Sequence, residues 1–153
     1  MGFSIKWSDE FKTGIETIDE QHQKLFSYFE IVDRMMADRN AEDIPLIING
    51  LIQYAISHNA YEELLMHEAG YPLLSSHRKE HREFKRRALG YEQKLKEGVD
   101  PLKIAREVRN DIGLWLVNHI KEEDLKYAPV VRKNLALTSE TGVMKKIFSN
   151  IFG

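Results

Sequence analysis

His58 and Glu62 stand four residues apart in the stretch HNAYE. On a helix that spacing stacks an imidazole over a carboxylate on one face. His77 and His81 repeat the spacing in HRKEH, and His22 and His119 each fall inside an apolar helical pattern. What these side chains share is a capacity to donate lone pairs. Neutral imidazoles with a carboxylate suit iron, zinc, copper or nickel. A single His-x-x-x-His pair also occurs on solvated surfaces, so the chemistry depends on whether the rest of the chain brings these groups together.

The elements that must position them are helices. Residues 18–38 carry Leu25, Phe26, Phe29, Val32 and Met36 with His22 near the start. Residues 41–69 step four, three, four, three through Ile44, Ile48, Leu51, Ala55, His58, Glu62, Leu65 and Ala69. A third stripe begins near Pro72 with Leu74, His77, His81, Phe84, Ala88, Tyr91 and Leu95. Residues 101–127 place Ala105, Val108, Ile112, Trp115 and His119 at the same spacing. Such steps form the seam of packed helices. GYP at 70–72 and KEGVDP at 96–101 are breaks, and Pro45 falls in a first turn, where proline is tolerated. Short connections make successive helices antiparallel neighbours.

The sequence therefore predicts an all-α chain, an up-down-up-down four-helix bundle. Residues 1–17 read as an N-terminal arm, 18–132 as the bundle, and 133–153 as a linker with a short C-terminal amphipathic helix. In such a bundle the start of the first helix, the end of the second, the start of the third and the end of the fourth meet at one end. His22, His58, Glu62, His77, His81 and His119 then share one layer. Buried without partners, each would cost free energy on the kilocalorie scale. Five imidazoles cannot easily satisfy one another, whereas a metal accepts every lone pair. So many donors exceed the need of one ion, and two ions are expected. His67 lies off the stripe and reads as a surface residue.

Composition narrows the class. The 153 residues carry a net charge of -2 with both signs mixed, so nothing points to nucleic acid. The chain has no cysteine, which removes thiolate metal sites and disulfides and fits a cytoplasmic setting. No apolar run is long enough to span a membrane, and no flavin or nicotinamide motif is present.

The stretches GIETIDEQHQKLF (14–26), HNAYEE (58–63), HRKEHREF (77–84) and WLVNHIKEEDLKY (115–127), with Trp7 before them, resemble the bacterial hemerythrins. That resemblance implies a non-haem di-iron centre held by His22, His58, Glu62, His77, His81, His119 and Asp124. It also implies an oxo or hydroxo bridge between the irons. Asp124 is supplied by the resemblance alone, because five residues beyond His119 lies about 140° around an ideal helix; a loosened helix end before Pro129 would bring it in. With Glu62 and Asp124 bridging, two octahedra are filled but for one position, which is left for dioxygen. The implied function is reversible dioxygen binding for storage, delivery or sensing, with small anions such as azide as further ligands. The alternative is a di-iron enzyme using the same centre, an oxidase, peroxidase or nitric oxide reductase.

The resemblance also implies an oxygen pocket at Asn59, Leu116 and Ile120. The family usually has Phe where this chain has Asn59. An amide donates and accepts hydrogen bonds, so a wetter pocket is expected if Asn59 faces the open position. In the tail, Val143, Met144, Ile147, Phe148, Ile151 and Phe152 share a helical face opposite Lys145 and Lys146. Docking on the bundle or a second subunit is expected, and a membrane or protein partner through residues 143–152 is the alternative.

Overall fold

A computed structural model of the chain describes residues 5–137 and 151–152. Helix α1 spans Glu16–Ala37, α2 Ile44–Glu68, α3 Leu74–Lys96 and α4 Pro101–His119. α1 packs against α2 and α4, and α3 packs against the same two, which is the predicted up-down-up-down bundle. Asp100 caps α4 by accepting a hydrogen bond from the Leu102 amide at 3.1 Å, with Pro101 in the first helical position. Gly70 ends α2 with a φ of +66°, a left-handed conformation that L side chains rarely adopt.

The fourth helix departs from the expected course. It does not stop near Tyr127. One wide π turn, Ile120–Asp124, follows α4, and the chain continues as α5, Leu125–Leu137, with Pro129 inside it. The carbonyl that Pro129 deprives of a donor is that of Leu125, directly after the widened turn.

The arm before α1 is docked. Ile5 is buried against Gly113 of α4, where an added Cβ would come within 2.2 Å of the Ile5 Cδ1. Asp19 holds the chain just ahead of α1 by accepting bonds from the Thr13 amide and hydroxyl, each at 2.8 Å, and from the Gly14 amide at 3.2 Å.

Buried apolar side chains form two clusters. The larger includes Leu25, Phe26, Ala55, Phe84, Leu116 and Ile120. The smaller includes Ile18, Tyr61, Leu65, Tyr127, Ala128 and Val131. Along α1 and α2 the polar residues of interest separate the two. His22 lies between Ile18 and Leu25, and His58 between Ala55 and Leu65. The histidine layer is therefore sandwiched rather than terminal, because α5 continues past it and supplies a second apolar cap. Ile151 and Phe152 pack against this second cluster, with the Phe152 ring 5.7 Å from Tyr54 and 6.1 Å from Tyr61. The rest of the expected amphipathic tail lies outside the described residues. Among the described residues no helix is long and apolar enough to cross a membrane.

Candidate metal centre

Each helix brings its donors to the layer on a buried face. α1 supplies His22, α2 His58 and Glu62, α3 His77 and His81, and α4 His119, all buried. Asp124 joins them at the end of the π turn. An ideal α-helix would carry a residue five positions on well off the His119 face, but a turn closed by i→i+5 bonds stacks it above. The Asp124 Oδ1 consequently lies 3.2 Å from the His119 Nε2.

The seven side chains fall into two sets. Glu62, His77, His81, His119 and Asp124 converge on one point, and His22, His58, Glu62 and Asp124 on another. Both carboxylates belong to both sets. Asp124 directs Oδ2 at His22 (3.2 Å) and Oδ1 at His77 (3.2 Å). Glu62 directs Oε1 at His58 (3.2 Å) and His81 (3.6 Å), and Oε2 at His22 (3.7 Å).

Two ionised carboxylates buried to 0% and 1% exposure need positive charge beside them. Burial pushes both upward in pKa, and Asp124 adds to this for Glu62, but the surrounding imidazoles hold both below the usual carboxylate range. Burial alone would lower His22; the Asp124 and Glu62 carboxylates beside its Nε2 override it and raise His22 to about 9. His119 is raised to about 9 in the same way, against its own burial, chiefly by Asp124. Burial leaves His81 lowered.

The nitrogen geometry fits a metal. The His81 Nδ1 donates to Glu63 Oε2 at 2.9 Å, and the His119 Nδ1 faces Glu80 Oε2 at 3.0 Å. Carboxylates only accept, so both Nδ1 atoms carry hydrogens, and each ring in its neutral form presents a bare Nε2. Those atoms lie 3.1 Å apart, and the His77 Nε2 is 3.0 Å from that of His119. In the neutral rings lone pair faces lone pair at this distance, and either a proton on His119 or a metal cation between them relieves the repulsion. The spacing also equals that of neighbouring corners of an octahedron with metal–nitrogen bonds of about 2.1 Å. The His22 Nε2, Glu62 Oε1 and Asp124 Oδ1 are buried without a hydrogen-bond partner among the described residues.

A family model described as Hemerythrin HHE cation binding domain matches residues 13–131. The chain belongs to the hemerythrin family. A bacteriohemerythrin of Pseudomonas paraeruginosa is 31% identical over 97% of this chain and 98% of its own length. One from Stenotrophomonas maltophilia is 33% identical over 86% of this chain and 84% of its own. A solved structure described as that of a leucine-to-phenylalanine mutant superposes with a TM-score of 0.73 at 27% identity, covering 84% of this chain and 98% of that one.

Around this hemerythrin cluster runs an outer ring of partners that stripe reasoning does not find. The His58 Nδ1 donates to Gln21 Oε1 of α1 at 2.6 Å, which joins Glu63 of α2 on His81 and Glu80 of α3 on His119. Each partner is the sequence neighbour of a donor on its own helix: Gln21 of His22, Glu63 of Glu62, Glu80 of His81. One residue along is about 100° around, so it reaches the next helix. That adjacency is the signal the sequence held. Tyr127 donates to Glu62 Oε2 at 2.5 Å, and Trp115 stacks on His119 with ring centroids 4.3 Å apart. The remaining residues expected at the pocket separate. Leu116 and Ile120 are buried in the larger apolar cluster, whereas Asn59, 7% exposed, lines an opening between α2 and α3 beside His81. His67 is exposed, as expected.

Proposed function

We propose that the seven residues hold two iron ions and that the centre takes up dioxygen reversibly, for storage, delivery or sensing. The observation that carries this reading is the uneven division of the histidines. Three converge on one side and two on the other, with both carboxylates shared. Shared carboxylates are suited to bridging, and the side with His22 and His58 has one protein donor fewer. A di-iron centre with an oxo or hydroxo bridge would supply one electron per iron to dioxygen at the position left free.

The chain's own residues do the rest. The outer ring fixes which imidazole nitrogen faces the metal, which sets ligand orientation and basicity. Tyr127 keeps a proton on the Glu62 carboxylate's outer side. The two apolar clusters cap the layer above and below and limit water. The described residues ahead of α1 serve as an arm, and α1 to α5 as the ligand-binding bundle.

Iron analysis after anaerobic reconstitution, with optical spectra before and after dioxygen is admitted and removed, tests the proposal. The expected result is two irons per chain and a reversible spectral change. Fewer than about one and a half irons would sink the di-iron reading. Full iron without reversibility would favour the enzyme reading, an oxidase, peroxidase or nitric oxide reductase.

A further inference from the structure

The layer has two openings of opposite charge. One, a cavity of about 260 Å³ outside His119, is ringed by Glu80, Glu83, Glu122 and Glu123. The other, about 220 Å³, lies in the α2–α3 seam, where α2 contributes Ile56, Asn59 and Glu63, and α3 contributes His81, Arg82 and Lys85. Residues 56, 59 and 63 are one helical face, as are 82 and 85.

Three features of the second cavity point to one kind of ligand. Its carboxylate is already committed, since Glu63 accepts from the Arg78 Nε at 3.2 Å and from the His81 Nδ1 at 2.9 Å. Its two cations are free: Arg82 and Lys85 are exposed, and among the described residues no carboxylate pairs with either. Its wall holds Asn59, 7% exposed, whose side chain makes no hydrogen bond among the described residues and whose amide is not shut away from the cavity it lines. An amide with uncommitted N–H groups at a cavity wall is available to a ligand.

We propose that this cavity binds a small, singly charged anion, with Asn59 donating to it and Arg82 and Lys85 drawing it in. It is then also the side from which such anions approach the cluster. The role as an approach rests on the di-iron reading above; the binding site itself does not. The acidic opening by His119 would repel the same ions, so the two openings divide traffic by charge.

Two measurements decide it. Crystals of the protein soaked in bromide and measured at the bromine edge are expected to show an anomalous peak beside the Asn59 amide, lost in the R82E/K85E variant. Absence of the peak in the unsubstituted protein overturns the site, whatever the iron content. In iron-loaded protein, R82E/K85E is expected to slow azide association about ten-fold or more at low ionic strength, converging with the parent as salt rises. R82Q/K85Q should lie between, which separates lost charge from any misfolding of the reversed variant. Equal association rates for all three overturn the approach route. Iron deficiency in the parent would instead defeat the functional reading and leave the bromide result to decide the cavity.

Discussion

His119 and Asp124 are five residues apart, yet a carboxylate oxygen of one lies 3.2 Å from the Nε2 of the other. The π turn Ile120–Asp124 makes that approach possible. Deleting Lys121, an exposed residue of this turn, should close it as an ordinary α turn with the carboxylate four residues after His119 and still on its face. That variant is expected to keep close to two irons per chain, whereas Asp124→Ala loses iron, with helix content by circular dichroism nearly unchanged in both. Iron loss on the deletion equal to that of Asp124→Ala would show that stacking the carboxylate over His119 is not what the turn provides.

The outer ring predicts a graded series. His77→Ala removes a donor and should lower iron content and melting temperature together, because binding and folding are coupled. Glu63→Gln and Glu80→Gln leave every donor in place but weaken the hold on His81 and His119. Each should weaken iron binding roughly 10- to 100-fold while leaving the iron-free fold intact, since both carboxylates are partly exposed. Competition against a chelator measures this, and affinities equal to the parent would remove these carboxylates from any role in tuning the centre.

The iron-free protein has a definite pH dependence. His22 and His119 are raised to about 9 from 6.5, so the folded state binds protons more tightly than the unfolded chain. The stability they add is complete below about 6.5 and disappears as the pH climbs through about 9. Melting temperature of the iron-free form should therefore fall between pH 6.5 and 9. Metal must displace the same protons, so iron affinity should rise across that window. A melting temperature that climbs with pH in the iron-free protein would contradict the charge state assigned to the cluster.

Asn59→Phe should fill the α2–α3 opening with a ring and remove the amide. Azide binding to the oxidised protein is expected to weaken, and the dioxygen-induced absorbance to decay more slowly, both by more than a few-fold. One hydrogen bond of about 1 kcal/mol corresponds to a factor near five. Iron content should not change, because position 59 is not among the converging donors. Equal decay in parent and variant, recorded side by side at fixed pH, would mean that this opening does not communicate with the cluster.

The bundle and six of the seven converging side chains were legible because both obey one period. An apolar stripe at steps of three and four marks the buried face, and a histidine on that stripe is buried with it. Asp124 breaks the period, since the stripe assumes an α-helix and the chain turns more widely there. Pro129 misled for a related reason: read as a stop, it hid α5 and with it the apolar cluster containing Tyr127 and Val131. Gln21, Glu63 and Glu80 were invisible to the stripe because they point sideways at a neighbouring helix. Nothing in residue type distinguishes Glu63 or Glu80 from the chain's solvated glutamates; only adjacency to a donor does.

The sideways contacts link the helices in a chain: α1 grips a histidine of α2, α2 one of α3, and α3 one of α4. A helix that slid one turn along its neighbours would keep most of its apolar contacts, since leucine and isoleucine are interchangeable partners on such seams. It would lose its grip on the next helix and the grip of the previous one at once. The polar layer thus works as an alignment key for a bundle whose oily faces alone are permissive about register, much as a single buried polar residue fixes the alignment of a coiled coil.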